Sequence, residues 1–187
     1  MRCVSTGFFY IENEQLTIGN IMNICLTGGD RGVGKIFVDH GAFNFDVDSG
    51  FDIRTEIGRS RIVSKSHNYD LFINHTYTGD SCQLELLSEV SRSWMMLGKS
   101  GHIINTGTIQ THIRPITFDN DSYVSYKTAT DEYCKALYKK WINREVQFKT
   151  TNIKYGNLTE DFYDFVMWLY KSPSDTCVGE IVIEHLF

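Results

Sequence analysis

Basic charge is scarce in this sequence, and this scarcity limits the partners that the protein can have. Its 187 residues include 18 lysines and arginines against 23 aspartates and glutamates, which gives a formal net charge of −5 at pH 7. Proteins that bind nucleic acids usually concentrate Lys and Arg on one surface. The composition therefore argues against a nucleic-acid partner and leaves room for a small anionic ligand held by backbone amides.

Cysteine and histidine groups with metal-ligand spacing are also missing. The five cysteines are odd in number and widely spaced, with no C-x-x-C pair: Cys3, Cys25, Cys82, Cys134 and Cys177. They predict neither a disulfide framework nor a zinc knuckle. The six histidines show no ligand spacing either, so we expect no metal site.

Long apolar runs and linkers are absent as well. Near the start, the apolar run "FFYI" is too short for a signal-peptide core or a membrane span. Only two prolines occur, and no low-complexity tract suggests a linker. With 42% apolar residues, the chain is predicted to form a single domain over residues 21–187 after an extension over residues 1–20. We expect a soluble, cytoplasmic protein.

Short apolar runs alternate with longer amphipathic stretches. Six runs have the pattern of strands: residues 21–27, 42–47, 70–74, 102–106, 151–155 and 180–185. Residues 83–97 and 122–143 instead place apolar side chains at three- and four-residue steps, as amphipathic helices do. Regular alternation of strand and helix predicts an α/β fold with a mostly parallel sheet covered by helices on both faces.

The glycine-rich stretch "TGGDRGVGKIF", residues 27–37, fits two phosphate-binding turns. From Gly29 it matches G-x-x-x-x-G-K, the loop that wraps ATP phosphates. From the threonine two residues earlier it matches T-G-x-x-x-G-x-G, a turn that receives the pyrophosphate of a dinucleotide. The ATP loop needs Ser or Thr after the lysine to ligate magnesium, and that position is Ile36. The residues therefore favour the dinucleotide turn, with a short helix that begins between Gly32 and Lys35.

A tyrosine and a lysine lie one helical turn apart in "SYVSYK". Tyr123 and Lys127 are four residues apart in a predicted helix, so both side chains project from the same face. A tyrosine with its ordinary pKa of about 10 is a poor acid or base at neutral pH. A nearby ammonium favours the phenolate and makes a tyrosine usable for proton transfer to a carbonyl oxygen. The pair indicates carbonyl chemistry, although a chance pair on a helix surface has the same spacing.

With four further segments in the right order, these motifs resemble the short-chain dehydrogenase/reductase family. The segments are "TGGDRGVG" as the cofactor turn, "LFINHTYTG" where the family has an Asn-Asn-Ala-Gly strand end, "GHIINTGT" for Gly-x-Ile-Val-Asn-x-Ser-Ser, and "NIKYGNLTE" for a Pro-Gly turn followed by Thr. The resemblance covers residues 21–187. It implies a Rossmann-type, doubly wound sheet and an enzyme that transfers a hydride between nicotinamide and a carbonyl or alcohol.

The resemblance also assigns roles to individual residues. Tyr123 looks like the general acid/base, Lys127 like its activator, and Thr108 lies where the family's catalytic serine does. The expected cofactor ligands are Gly28, Arg31, Gly32, Val33 and Gly34 at the pyrophosphate and adjacent ribose, Asp48 and Asp52 at the adenosine, Asn74 at the end of its strand, Lys127 at a ribose, and Thr159 at the nicotinamide carboxamide.

Charge at the end of the second strand bears on the choice of cofactor. "FDVDSG" places Asp46 and Asp48 there, and a carboxylate at that point accepts hydrogen bonds from the ribose 2′-hydroxyl while repelling a 2′-phosphate. Arg31 has the opposite effect, because a basic residue in the glycine turn can meet the 2′-phosphate. The sequence therefore favours NAD and keeps NADP open. Asp52, in "GFDIR", resembles the family's adenine-binding residue but equally fits an ordinary strand-end aspartate.

Three departures from the family pattern keep a second function open. Only six residues separate Gly34 from "GAFNF", so the first crossover helix is about one turn, roughly 5 Å, shorter than usual. The helix before "GHIIN" lacks the family's catalytic asparagine and offers Ser81, Cys82 or Gln83. The usual lid after the nicotinamide-binding turn is also absent. These departures suit a catalytically impaired NAD(P)-binding sensor or scaffold, whereas the intact tyrosine–lysine pair favours the enzyme.

The resemblance finally implies a small-molecule carbonyl or alcohol substrate and a homodimer or homotetramer. The subunits would associate through the two long helices, residues 83–97 and 122–143. The apolar stripes of these helices permit such an interface but could equally face the sheet.

Overall fold

A computed structural model of the chain describes residues 23–108, 110–113, 121–155, 161–173 and 175–183, so the predicted extension over residues 1–20 lies outside the described residues. Strands and helices alternate, which confirms the predicted α/β class. The strands are β1 (Ile24–Thr27), β2 (Phe43–Phe45), β3 (Leu71–Asn74), β4 (Gly101–Thr108), β5 (Phe148–Tyr155) and β6 (Glu180–Ile183). The helices are α1 (Gly32–Asp39), α2 (Glu56–Ser66), α3 (Cys82–Met96), α4 (Gln110–Ile113), α5 (Asp121–Ile142) and α6 (Asp161–Lys171).

The strands form one parallel sheet in the order β2-β1-β3-β4-β5-β6. β1 and β3 are buried along their whole length, as expected for parallel strands covered on both faces. The order reverses between β1 and β3, and ligands of such sheets bind at the carboxyl ends of the strands at this switch point. In the usual dinucleotide-binding order, 3-2-1-4-5-6, one further strand lies outside strand 2. Here β2 is the edge of the described sheet.

Helices cover both faces of the sheet and enclose two apolar cores. α2, α3 and α5 pack on one face, where the rings of Trp94 and Phe148 meet edge-on with centroids 5.9 Å apart. α1 and α6 pack on the other, where Phe37 and Phe162 meet edge-on at 6.0 Å. Most of the predicted stripe of α3 packs into the first core, where Leu87, Val90 and Trp94 are buried, but Leu97 at its end is exposed. Association of subunits through α3 and α5 stays a prediction.

The glycine turn leads directly into α1, which begins at Gly32 and is only eight residues long, as the spacing in the sequence predicts. Gly34 lies so close to β1 that a Cβ atom would collide with the carbonyl oxygen of Gly28. Glycine at this position therefore allows the close approach of helix and strand that dinucleotide-binding turns require. After Asp39 the chain turns through Gly41, with a φ of +91°, into β2.

The described cysteines are free thiols: Cys25, Cys82 and Cys134 are buried and Cys177 is half-buried. Among the described residues, no group of three or more His, Cys, Asp or Glu side chains could hold a metal ion. In the same part of the chain, no helix is both long and apolar enough to cross a membrane.

Candidate functional site

The glycine turn between β1 and α1 presents backbone amides at the switch point of the sheet. Gly28 has a φ of +77° and Gly32 a φ of +57°, conformations that glycine adopts without strain. A side chain at Gly28 would also meet Thr76 Oγ1 at 2.7 Å. The N-cap residue of α1, Arg31, makes no side-chain hydrogen bond to the helix. The first turn of α1 is therefore not capped by Arg31, and helix N-termini of this kind attract anionic groups.

Other residues of the turn contribute only backbone or fix its shape. Val33 and Gly34 are buried in α1, so only their backbone amides are candidates for a ligand contact. Asn44, on β2, accepts a hydrogen bond from the backbone N–H of Gly29 at 2.9 Å and donates one to Asp30 at 2.8 Å. These hydrogen bonds could not be predicted from the sequence, because the glycine pattern alone gives Gly29 no partner.

A cavity of about 370 Å³ opens in front of the turn. This volume lies within the range of roughly 300–1,000 Å³ that is typical of small-molecule sites. Three of the predicted cofactor ligands, Gly28, Arg31 and Asp52, line it. The other described residues of the lining come from the glycine turn, from the end of β2 and from the loops that follow β2 and β3: Asp30, Phe45, Val47, Phe51, Ile53, Arg54, His75, Thr76, Tyr77 and Thr78.

Charges of both signs meet at the β2 side of this cavity. Arg54 donates hydrogen bonds to both carboxylate oxygens of Asp52, at 2.9 and 2.8 Å, which hold the pKa of Asp52 below its ordinary value. Asp46 accepts the backbone N–H of Asp48 at 3.2 Å, and neither residue belongs to the described lining. Arg31 lies on the lining and forms no ion pair with a described residue.

α5 brings the predicted tyrosine and lysine to the same edge of the sheet. Lys127 is only 4% exposed, and its Nζ donates hydrogen bonds to Gln83 Oε1 at 2.7 Å and to the carbonyl oxygen of Thr106 at 3.1 Å. The same Nζ lies 5.9 Å from the ring centroid of Tyr123. Burial lowers the pKa of Lys127 to about 8, against an opposing effect of the Asp131 carboxylate. Neutral acceptors therefore hold this ammonium beside Tyr123.

Tyr77 connects the cavity to this pair. Tyr77 lines the cavity, and its ring meets the ring of Tyr123 edge-on, with centroids 4.8 Å apart. Lys127 Nζ lies 5.0 Å from the centroid of the Tyr77 ring, within the range of a cation–π interaction. The loop sequence gave no indication of this contact, since the family pattern has only small residues at the corresponding strand end.

Of the three candidates for the missing asparagine, Gln83 is the one that meets the lysine. Its side chain is buried and reaches back from α3 to β3, where Nε2 donates to the carbonyl oxygen of Asn74 at 3.0 Å. Ser81 instead donates to a glutamate of its own helix at 2.6 Å, and the backbone N–H of Cys82 donates to an aspartate two residues earlier. The helical register of α3 on the sheet decides between the three, and the sequence alone does not fix that register.

Asn74, predicted to lie beside the cofactor, directs its side chain towards α3 and β4. Its Nδ2 donates to the carbonyl oxygen of Gln83 and to Asn105 Oδ1, each at 3.0 Å. Its Oδ1 is buried and has no hydrogen-bond partner among the described residues. Residues 75–78, directly after it, line the cavity instead. A contact between Asn74 and a cofactor stays a prediction.

A row of polar side chains crosses the sheet behind the lysine. Asn74, Asn105 and Asn152 are in register on β3, β4 and β5. Asn105 donates to Asn152 Oδ1 at 2.8 Å, and Asn152 donates to Asp131 Oδ1 on α5 at 2.8 Å. The other oxygen of Asp131 lies 3.1 Å from the buried Lys154 Nζ. Asn105 and Asn152 each use both their donor and their acceptor, so these hydrogen bonds fix the orientation of the two side chains beneath α5.

Thr108, at the expected position of the catalytic serine, ends β4 and is 6% exposed. Its Oγ1 accepts a hydrogen bond from the backbone N–H of Gln110 at 3.3 Å. Because the oxygen accepts this bond, the hydroxyl proton can still be donated to another group. Thr159, predicted to hold the nicotinamide carboxamide, lies outside the described residues.

His75 lies between the cavity and the sheet and was given no role by the sequence. Its Nδ1 is 3.2 Å from the Tyr155 hydroxyl and 3.3 Å from Thr106 Oγ1, and its ring is nearly parallel to that of Tyr155. Burial, aided by the charge of Lys127, lowers the pKa of His75 to about 4. The imidazole is therefore neutral at pH 7 and adds no second cation beside the lysine.

Comparison with known proteins gives a consistent fold. Neither a protein-family model nor a curated protein sequence matches the chain. Among solved structures, serine dehydrogenase from Escherichia coli has a TM-score of 0.65 and 14% identity, over 86% of this chain and 96% of that one. An alcohol dehydrogenase from the archaeon Thermococcus sibiricus, complexed with 5-hydroxy-NADP, has a TM-score of 0.64 and 16% identity, over 87% and 96%.

A third similar structure is a short chain dehydrogenase from Leptospira borgpetersenii with bound NAD+. It has a TM-score of 0.61 and 17% identity, over 94% of this chain and 98% of that one. At identities this low, the structural similarity establishes the fold alone. This fold is the Rossmann fold of the short-chain dehydrogenases/reductases.

Proposed function

We propose that this chain is an NAD(P)-dependent oxidoreductase that transfers a hydride between nicotinamide and the carbonyl or alcohol carbon of a small molecule. One observation carries the proposal: a cavity in front of a glycine turn lies next to a buried lysine that is held beside Tyr123. A protein that only binds nucleotides has no physical need for such a pair. Two similar structures contain 5-hydroxy-NADP and NAD+, which supports a nicotinamide cofactor.

The described residues fit a dinucleotide. The uncapped first turn of α1 suits a pyrophosphate, and glycine at positions 28 and 34 lets the backbone approach it. Arg31, Asp52 and Arg54 line the cavity and would meet an adenosine at its β2 side. Lys127 would hold a ribose hydroxyl at the other end. The bound cofactor would donate or accept the hydride.

The remaining chemistry falls to side chains at the ends of β4 and α5. Tyr123 would donate its phenolic proton to the substrate oxygen during reduction and take it back during oxidation, a role that contributes roughly 10²–10⁴-fold to the rate in enzymes. The Lys127 ammonium favours the phenolate that this transfer leaves behind. Thr108 would donate a hydrogen bond to the same substrate oxygen. Gln83 would keep the ammonium in place through its 2.7 Å hydrogen bond.

A reductase assay tests the catalytic role of Tyr123. Oxidation of NADH and NADPH should be followed with a panel of carbonyl compounds, for the wild type, Tyr123→Phe and the control Tyr126→Phe. We expect Tyr123→Phe to lower kcat by at least about 100-fold, because it removes the proton donor. Tyr126 is on the exposed side of α5, so its variant should keep wild-type turnover. Turnover that Tyr123→Phe leaves unchanged would sink the assignment.

For the cofactor we propose a preference for NADPH, which differs from the expectation drawn from the sequence. The carboxylates that favoured NAD, Asp46 and Asp48, are outside the described lining of the cavity. Asp52 is on the lining but is paired with Arg54. Arg31 is then available to a 2′-phosphate, with which a guanidinium forms strong bidentate hydrogen bonds.

Titration calorimetry with both reduced cofactors tests this preference. Arg31→Ala should weaken NADPH binding by about tenfold or more, the usual effect of losing one charge-assisted hydrogen bond, and should change NADH binding little. Equal losses for the two cofactors would show that Arg31 does not read the 2′-phosphate.

The alternative function is an NAD(P)-binding sensor or scaffold with little turnover. The observation in its favour is the contact of Tyr77 with Tyr123 and Lys127, which places an aromatic ring over the catalytic pair. Tight cofactor binding without oxidation of NADPH by any carbonyl in the panel would favour this alternative over the enzyme.

A further inference from the structure

Tyr77 occupies the junction between the two halves of the proposed dinucleotide site. The described lining of the cavity extends from the glycine turn to Tyr77 and Thr78 and includes neither Tyr123 nor Lys127. The Tyr77 ring is also in contact with that pair, edge-on to Tyr123 and 5.0 Å from Lys127 Nζ. Tyr77 thus borders both the cavity and the two residues that a nicotinamide and its ribose would have to reach.

Hydrogen bonds hold the residues on both sides of Tyr77. The N–H groups of His75 and Thr76 both donate to Thr27 Oγ1, at 3.1 Å each. On the other side, the hydroxyl of Thr78 donates to Asp80. Tyr77 itself is half-buried, and no described residue forms a hydrogen bond with its hydroxyl. Rotation of the side chain is thus the motion available at this point, with the loop remaining in place.

We propose that Tyr77 is a gate: its ring closes the passage between the adenosine half of the cavity and the Tyr123–Lys127 pair, and the nicotinamide half of the cofactor binds only when this ring swings aside. The proposal rests on the proposed function, since it takes a dinucleotide as the ligand. A nucleotide that ends at the diphosphate occupies the cavity without passing the gate.

The closed position is held by weak contacts that a ligand can replace. An edge-to-face pair of rings and a cation–π contact together favour the closed state by about 10-fold to 30-fold. Apparent affinity falls by the fraction of molecules that are open, so dinucleotide affinity carries this factor and mononucleotide affinity does not. An incoming ribose hydroxyl would offer Lys127 a hydrogen bond in exchange for its contact with the ring.

Calorimetric titration of the full chain with ADP and with NADPH separates the two halves of the site. The variants are Tyr77→Ala, which removes the ring, and Tyr77→Phe, which keeps the ring and removes the hydroxyl. Tyr126→Ala, on the exposed side of α5, serves as the matched control. We expect Tyr77→Ala to bind NADPH about tenfold more tightly than the wild type and to bind ADP with unchanged affinity. Tyr77→Phe and the control should match the wild type for both nucleotides.

The other outcomes contradict either the gate or the proposed function. If ADP binds but Tyr77→Ala leaves NADPH affinity unchanged or weaker, Tyr77 is not a gate and the proposed cofactor site survives. A gain that is equal for ADP and NADPH also overturns the gate, because the ring would then obstruct the whole cavity. Failure of both nucleotides to bind any variant, including the wild type, refutes the proposed function itself. Should Tyr77→Ala not fold by circular dichroism, Tyr77→Ser provides the same comparison.

Discussion

At the scale of one residue, burial of the Lys127 ammonium in the proposed site lowers the stability of the fold. Its ammonium is buried between neutral oxygen acceptors, and burial lowers its pKa from an ordinary 10.5 to about 8. Because the unfolded chain binds this proton more strongly than the folded chain, stability falls as the pH drops from 10.5 to 8 and stays reduced below pH 8. At pH 7 the cost is about 3 kcal/mol.

Removal of this charge should therefore leave the fold at least as stable. Lys127→Met is expected to change the free energy of unfolding at pH 7 by about 0–2 kcal/mol in the stabilising direction, because two buried acceptors lose their donor and offset part of the gain. Urea denaturation at pH 7 and pH 10 measures the effect, and the advantage of the variant should shrink at the higher pH. A variant less stable than the wild type by more than about 1 kcal/mol would show that the ammonium stabilises the fold.

Two glycines of the turn allow a matched comparison. Gly34→Ala places a Cβ against the backbone of Gly28, whereas Gly32→Ala meets nothing within 4 Å and pays only for its φ of +57°. We expect costs of about 2–4 kcal/mol for the first and about 1 kcal/mol for the second. Chemical denaturation gives both values. Similar losses for the two variants would mean that the close approach of α1 to β1 is not a constraint.

At the scale of elements, the sequence predicts most of the architecture because apolar spacing is a local property. All six strands and both long helices lie within a few residues of the predicted ranges. The side-chain network beneath α5 is different, since its hydrogen bonds join residues as far apart as Asn105 and Asn152. Nothing local in the sequence pairs such residues. The same reason explains why Tyr123 and Lys127 could be picked out as a motif and Gln83 could not be separated from its neighbours.

The ion pair between α5 and β5 should be among the strongest determinants of how α5 sits on the sheet. Asp131→Ala removes the carboxylate and leaves the buried Lys154 with Glu180, at 3.1 Å, as its one remaining ion-pair partner among the described residues. We expect this variant to lose about 3 kcal/mol of unfolding free energy. The double variant Asp131→Ala/Lys154→Met should lose less, by about 1 kcal/mol or more. Asp39→Ala, in the exposed pair with Lys35, should cost no more than about 0.5 kcal/mol.

Chemical denaturation of the four proteins in the cycle, which are the wild type, Asp131→Ala, Lys154→Met and the double variant, decides this point. Strict additivity of the two single losses would contradict a coupled buried pair.

At the scale of the whole molecule, buried histidines set the response to acid. His102 is 3% exposed, and burial lowers its pKa to about 3, with a smaller effect of Lys149. The unfolded chain takes up this proton below about pH 6.5 while the folded chain does not, so stability falls between pH 6.5 and pH 3. His75 acts in the same direction.

This dependence can be isolated with one variant. His102→Gln keeps a donor for Thr151, which His102 contacts at 2.8 Å, and removes the titration. Between pH 6 and pH 4 the wild type should lose up to about 1.4 kcal/mol per pH unit more than the variant. Parallel curves of unfolding free energy against pH would mean that His102 does not stay neutral in the folded chain.

The described sheet has the usual crevice at its switch point and ends at β2 on one edge. The order β2-β1-β3-β4-β5-β6 keeps the switch point, and the described residues include no outer strand beside β2 as in the usual dinucleotide-binding order. Neither the number of strands on this edge nor the position of Tyr77 follows from the motifs, since both depend on how the chain packs between them. The proposed function depends on a crevice that still accepts a complete dinucleotide.

A crystal structure of the chain grown with NADPH or NADP+ tests this most directly. The account predicts electron density for the diphosphate at the first turn of α1, for the adenosine beside Arg31 and Asp52, and for the nicotinamide ring beside Tyr123, with the Tyr77 ring rotated away from Lys127. Cofactor density outside this crevice, or a nicotinamide that points away from Tyr123, would contradict it.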